Sequence, residues 1–300
     1  MNYICVKTED NVYLEGLIYN ENKKTDSIVI SVHGMATNCI KDRDNIIADK
    51  LKKINIDYLV FNNRGHDLVS YAKREVNGKR KNIICGTAYE EISDCYFDIK
   101  AMLEHVLKKG YKNVYILGHS LGCTKTIYTY NKLLKNNETG ILNSIKGIIL
   151  LSLVDIPMTL KTFLQNNFND MTNFAEEQIK KGNTEMLMPQ KAFIHPISVK
   201  TFLRYAKNSE DINFARFSEE KYDYPELNNI KIPLFMRWGN ERELILQEPQ
   251  QLCNTIKNKL NNKNVDIGYI DGANHSYRGK EVQLAEEIFN FINKYTKEKS

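Results

Sequence analysis

Ser120 lies in the stretch Tyr115-Ile116-Leu117-Gly118-His119-Ser120-Leu121-Gly122-Cys123, an apolar run entering a serine with a glycine two places on either side. A serine hydroxyl is a weak nucleophile and must stand clear of the backbone to meet both a general base and a substrate. A sharp strand-to-helix turn does this, at the cost of strained dihedrals and a close approach of strand and helix. Side chains at the two flanking positions would collide there, so glycine is required. The same turn aims the Leu121 N–H, at the helix N-terminus, at the place where a developing oxyanion would be held. With 15 glycines and 12 serines in 300 residues, this spacing would arise by chance about 0.03 times. The strand before it and helix after it make an inert serine the weaker reading.

Such a serine needs a base, and the base needs an orienting acid. His275 follows the last apolar run in Gly272-Ala273-Asn274-His275, ahead of the final helical pattern, and is the expected base. His119 is expected to pack and to point away from Ser120. His33 and His66, in loops after earlier strands, are expected to brace the floor of a pocket. The six cysteines contain no C-x-x-C pair and the six histidines no H-x-x-x-H pattern. No metal site and no cofactor are therefore expected, and the thiols read as reduced and mostly buried.

The elements that must position these residues follow from hydrophobic period. Residues 2–8 and 11–18 read as a β-hairpin, 27–32 as a strand running into His33-Gly34-Met35, 42–53 as a helix and 57–61 as a strand. Thr87-Ala88-Tyr89-Glu90 has capping-box spacing and predicts a helix from there to about 109, closed by Gly110. Further strands are expected at 114–117, 148–151, 233–238 and 265–270, with a helix at 121–134. A last helix at 281–293 is expected to bury Val282, Leu284, Ile288, Phe289 and Ile292. Strands alternating with helices predict an α/β fold with a mostly parallel sheet covered on both faces. From 153 to 225 the pattern loses its strands and becomes short amphipathic pieces rich in Phe and Met. This predicts a helical lid insertion at 153–225 within a core made of 1–152 and 226–300.

Composition narrows the function. At 42% hydrophobic and 26% charged the chain reads as an ordinary globular protein. The net charge of +5 is spread over mixed lysines and acids, so no nucleic-acid partner is expected. No apolar run is long enough for a membrane span, and the first residues lack a secretory pattern. A cytoplasmic location is the default expectation, and the oligomeric state is left open.

Four spaced features together resemble the α/β-hydrolase family: Val32-His33-Gly34-Met35, the Phe61-to-Asp67 loop, Gly118-His119-Ser120-Leu121-Gly122, and Gly272-Ala273-Asn274-His275-Ser276. The resemblance covers most of the chain. It implies an eight-stranded sheet, a second oxyanion N–H from Met35, and a lid between strands six and seven, where 153–225 falls. It also implies an acid in the loop after strand seven, Trp238-Gly239-Asn240-Glu241-Arg242-Glu243-Leu244-Ile245. The family's usual aspartate position holds Arg242 here. Glu243, followed by an apolar pair, is the preferred acid and Glu241 the alternative, with Asp155 a remote third. The pieces Gly118-to-Cys123 and Ala273-Asn274-His275-Ser276-Tyr277 are similar to a branch that includes fungal siderophore esterases.

The expected activity is hydrolysis of small carboxylic esters with apolar acyl or aryl portions, through Ser120, His275 and Glu243. A thioesterase, amidase or acyltransferase would use the same three residues. A binding protein that kept the pocket and lost turnover would need none of them intact.

Overall fold

The computed structural model of the chain describes residues 1–19, 25–207 and 212–297. Among these residues a single sheet has ten strands: β1 Asn2–Lys7, β2 Val12–Tyr19, β3 Ser27–Val32, β4 Asp57–Phe61, β5 Ser70–Val76, β6 Lys79–Cys85, β7 Asn113–His119, β8 Ile145–Leu151, β9 Leu234–Gly239 and β10 Val265–Ile270. Their order is β10-β9-β8-β7-β3-β4-β2-β5-β6, with β1 pairing β2. From β4 to β10 through β3 the neighbours are parallel; β1, β2, β5 and β6 pair antiparallel.

The expected count of eight is corrected by the hairpin β5–β6. Its turn is Asn77-Gly78, both with positive φ (51° and 72°), the backbone that a two-residue hairpin loop needs to match strand twist. The flanking strands are mostly exposed and carry Lys73, Arg74, Lys79, Arg80 and Lys81. They therefore lack the buried apolar run by which the inner strands are recognised.

The helices are α1 Asp42–Leu51, α2 Cys95–Lys108, α3 Leu121–Lys135, α4 Thr139–Ser144, α5 Ile156–Leu164, α6 Phe168–Lys180, α7 Val199–Ala206, α8 Pro225–Asn228, α9 Pro249–Lys259 and α10 Glu281–Lys297. Strand side chains alternate between two cores. Ile28, Ile30, Leu59, Ile116, Ile148 and Leu150 pack with α2, α3 and α9. Val29, Val60, Leu117, Ile149, Leu151 and Phe235 pack on the other face with α1 and α10. Along α10 the buried stripe is Leu284, Ile288, Phe291 and Ile292. Val282 lies two residues, about 200°, from Leu284 and is 71% exposed, contrary to expectation.

The helix expected from Thr87 also starts late. Residues 87–89 and 92–94 are single 3-10 turns, and α2 begins at Cys95. Thr87 does not cap: its hydroxyl donates to the Gly65 carbonyl at 2.9 Å and accepts from Ala36 N–H at 2.7 Å. Tertiary partners have taken both halves of the capping box, since Glu90 is buried against Lys125.

The 153–225 segment, whose residues 208–211 lie outside the described ones, holds α5, α6 and α7. Its only β pairing among the described residues is a single bridge between Leu187 and Ser198. It docks through α7 on the 87–91 segment: Ser198 N–H donates to Ala88 O at 2.7 Å, and Arg204 pairs with Glu91 at 3.2 Å. Among the described residues no helix is long and apolar enough to cross a membrane.

Candidate active site

The carboxyl ends of β3, β7, β9 and β10 meet above the sheet, where loops of parallel sheets gather ligands. Each brings one part of the site. β7 ends at His119, and Ser120 has φ 55° and ψ −124° before α3 begins at Leu121. Such a non-glycine conformation costs about 1–3 kcal/mol and persists only where its surroundings enforce it. Two contacts enforce it here. A Cβ on Gly118 would sit 2.5 Å from the Gly122 carbonyl oxygen, and one on Gly122 would run into the Val32 carbonyl of β3. The elbow is thus wedged between its own strand and the neighbouring one. Ser120 N–H donates to Leu151 O at 2.8 Å, tying the turn to β8.

His275 Nε2 is 2.9 Å from Ser120 Oγ. Its Nδ1 is hydrogen-bonded to Glu243 Oε1, so Nδ1 carries the proton and Nε2 is free to accept from the serine hydroxyl. Glu243 Oε2 accepts from Ser152 Oγ at 2.7 Å and from Gly239 N–H at 3.0 Å; Oε1 accepts from Leu244 N–H at 2.9 Å. Burial alone would raise the Glu243 pKa. The His275 hydrogen bond and charge, with the Gly239 and Ser152 donors, outweigh it and hold the carboxyl below its ordinary value.

Glu241 does not share this position. Its backbone N–H bonds Ala273 O at 2.9 Å, and its carboxylate lies on the side of Gly272. Asp155 caps α5, accepting from Met158 N–H at 3.2 Å and from Asn213 at 3.2 Å, away from the imidazole.

Met35 and Leu121 both line a cavity of about 440 Å³ with Ser120 and His275. The Leu121 N–H belongs to the first turn of α3, whose donors have no intrahelical acceptor. The loop bearing Met35 is held on both sides. His33 Nδ1 donates to Gly34 O at 2.9 Å while its Nε2 accepts from Asn63 N–H at 3.2 Å, and Thr87 holds Ala36 N–H. Burial, with the charge of Lys125 adding to it, pushes the His33 pKa down to about 3, so the ring stays neutral in this bridging role. Behind it, fully buried Lys125 of α3 joins Asn63 Oδ1 at 2.9 Å to Glu90 Oε1 at 2.5 Å. His66 contacts Asp67 at 3.0 Å and lines neither cavity beside Ser120.

Several supporting groups escaped sequence reading. His119, buried and kept neutral by burial and by the nearby charges of Arg43 and His275, donates Nε2–H to the His275 carbonyl at 2.8 Å. Ser152, with φ 53°, stands at the end of β8 where a polar residue after an apolar strand is the one available signal. Lys125 was visible as a lysine on the apolar face of α3.

This strand order, with a strained serine after the strand beside β3 and a histidine after the last strand, defines the α/β-hydrolase fold. The chain belongs to the family described as a protein of unknown function, DUF1749, whose model matches residues 85–297. No curated protein matches the sequence. Solved structures that resemble it include Est1E from Butyrivibrio proteoclasticus with ferulic acid bound, at TM-score 0.67 and 14% identity over 98% of this chain and 99% of that one. The esterase Pf2001 of Pyrococcus furiosus matches at TM-score 0.60 and 18% identity, covering 98% and 90% of the two chains. A soluble variant of monoglyceride lipase from Saccharomyces cerevisiae, in complex with a substrate analogue, matches at TM-score 0.62 and 13% identity over 97% and 94%.

Proposed function

We propose that the protein is a serine hydrolase of carboxylic esters with apolar acyl or aryl portions, acting through Ser120, His275 and Glu243. The observation that carries this is the 2.9 Å contact of Ser120 Oγ with an imidazole whose other nitrogen bonds a buried carboxylate. The esterases and the lipase that share the fold support ester cleavage in general. In the first half-reaction Ser120 Oγ bonds to the acyl carbon as its proton passes to His275 Nε2. Glu243 stabilises the imidazolium, and the N–H groups of Leu121 and Met35 hold the oxyanion. The carbon–oxygen bond to the alcohol then breaks and the leaving oxygen takes the proton from Nε2. Water, deprotonated by the same nitrogen, releases the acid and restores Ser120.

The 153–225 segment acts as the lid. It supplies Val154, Ile156, Leu160, Phe163, Phe193 and Ile194 to the cavity, which Leu244–Leu246 complete. Phe163, Ile194, Leu244 and Leu246 remain exposed at its mouth, an apolar rim suited to an apolar acyl chain. Turnover of a ladder of p-nitrophenyl esters by wild type and Ser120→Ala tests the reading, together with labelling by a fluorophosphonate probe. Wild type is expected to turn over and to label, the variant to do neither. Equal turnover by the two proteins would end it.

A further inference from the structure

Ser120 and His275 line two cavities at once. The first is the apolar one. The second, about 280 Å³, shares Met35, Ser120 and His275 with it but is otherwise polar. Three cations line it, Lys41, Arg43 and Arg278, against the carboxylates of Asp42 and Glu281. An ester has two arms, and a nucleophile standing between an apolar and a basic cavity sorts them by chemistry.

Arg43 is the telling group. It is 7% exposed, and its Nε is buried with no hydrogen-bond partner among the described residues. Its one carboxylate neighbour among those residues, Asp44, reaches it through Oδ2 at 3.5 Å, while Asp44 Oδ1 is committed to the hydroxyls of Ser31 at 2.9 Å and Tyr58 at 2.6 Å. A buried guanidinium left with one idle donor, its Nε, is costly unless an acceptor arrives. Lys41 and Arg278 form no ion pair among the described residues, although Asp42 and Glu281 line the same wall. Of the adjacent pair, Asp42 is exposed and Arg43 buried, so the cation is the one seated at depth. Besides His275, the other titratable groups facing the cavity are His33 and His119, and both are kept neutral. Burial is the main cause for each, with the charge of Lys41 adding at both and that of Arg43 at His119.

We propose that the substrate is an ester whose apolar acyl arm fills the first cavity and whose alcohol arm bears an oxyanion, phosphate or carboxylate, held in the second by Arg43, Lys41 and Arg278. The arms are assigned by the oxyanion donors. Met35 and Leu121 both line the apolar cavity, so the acyl carbonyl belongs at that end. The second cavity lacks Leu121 but keeps His275, which must protonate the departing oxygen.

The inference rests on Ser120 being the acylated residue, and its test separates the two. The kcat/KM values of 1-butyryl-glycerol, its 3-phosphate and 3-O-butyryl-glycerate are compared at low and high salt. Wild type is expected to favour the charged esters by about tenfold, a preference that shrinks with salt. Lys41→Ala/Arg278→Ala, at solvent-reached positions, is expected to bring the ratio close to one. Lys135→Ala, at the far end of α3, should keep it. A ratio near one in wild type, or one that the double variant leaves alone, overturns the proposal. Calorimetric binding of glycerol 3-phosphate against glycerol, on Ser120→Ala protein, adds a readout free of turnover. Selective binding weakened by the double variant, with no ester cleaved, keeps the anion site and sinks the hydrolase reading. Cleavage with neither charge preference nor binding does the reverse.

Discussion

Glu243 bonds the imidazole of His275 while Glu241, two residues earlier, faces Gly272, and the difference is one of direction rather than chemistry. Glu243→Gln keeps the shape but offers an amide where the Nδ1–H needs an acceptor and the imidazolium a countercharge. A loss of kcat on the order of 10³–10⁴-fold is expected, with Glu241→Gln close to wild type; steady-state kinetics on one ester decide it. The depressed pKa of Glu243 also makes a stability statement. A carboxyl held below its ordinary value of 4.5 stabilises the fold fully above that value, and the contribution is lost as pH falls through the lower native one. Urea unfolding from neutral to acid pH should therefore show the gap between wild type and Glu243→Gln closing as the solution becomes acidic. A gap that widened would mean the carboxyl is protonated in the native state.

At the scale of elements, α3 does more than place Ser120 at its start. One turn on, Lys125 is fully buried and pairs with Glu90 while holding Asn63, which in turn bonds His33 and so the loop of Met35. Helix α7 rests on the same 87–91 segment, with Thr201 Oγ1 donating to Glu90 O at 3.2 Å. Lys125→Met would leave the Glu90 carboxylate buried without a countercharge. A loss of about 3–5 kcal/mol is expected, read by chemical unfolding. Lys125→Met/Glu90→Gln should recover a large part of it, because the charge that had been stranded is gone. Failure of the second substitution to rescue would show that packing, not charge, holds this corner.

For the whole molecule, the 153–225 segment and the β9 loop both line the apolar cavity, and acyl length is expected to be read there. Ile194, 60% exposed at the mouth, can take Glu with little effect on folding. Ile194→Glu should raise KM for an octanoyl ester by about tenfold, the worth of one apolar side chain's contact, and barely change an acetyl ester. Equal effects on both would place the chain elsewhere.

Much of this architecture was legible in advance because its signals are local. The inner strands are continuous apolar runs, the elbow needs two glycines at set positions, and His275 follows the last strand. The hairpin β5–β6 carried a readable Asn-Gly turn too, but charged, exposed strands hid it. The preference for Glu243 over Glu241 was drawn from an apolar pair beside it. Only the loop's path in space gives that preference a geometric reason. Tertiary structure alone decided that Thr87 would abandon its helix cap for the Met35 loop, that His119 would hold the His275 carbonyl, and that Arg43 would lie buried with an idle donor. Each depends on partners distant in the chain, and no hydrophobic period or local spacing encodes which of many polar groups will be brought within hydrogen-bonding reach.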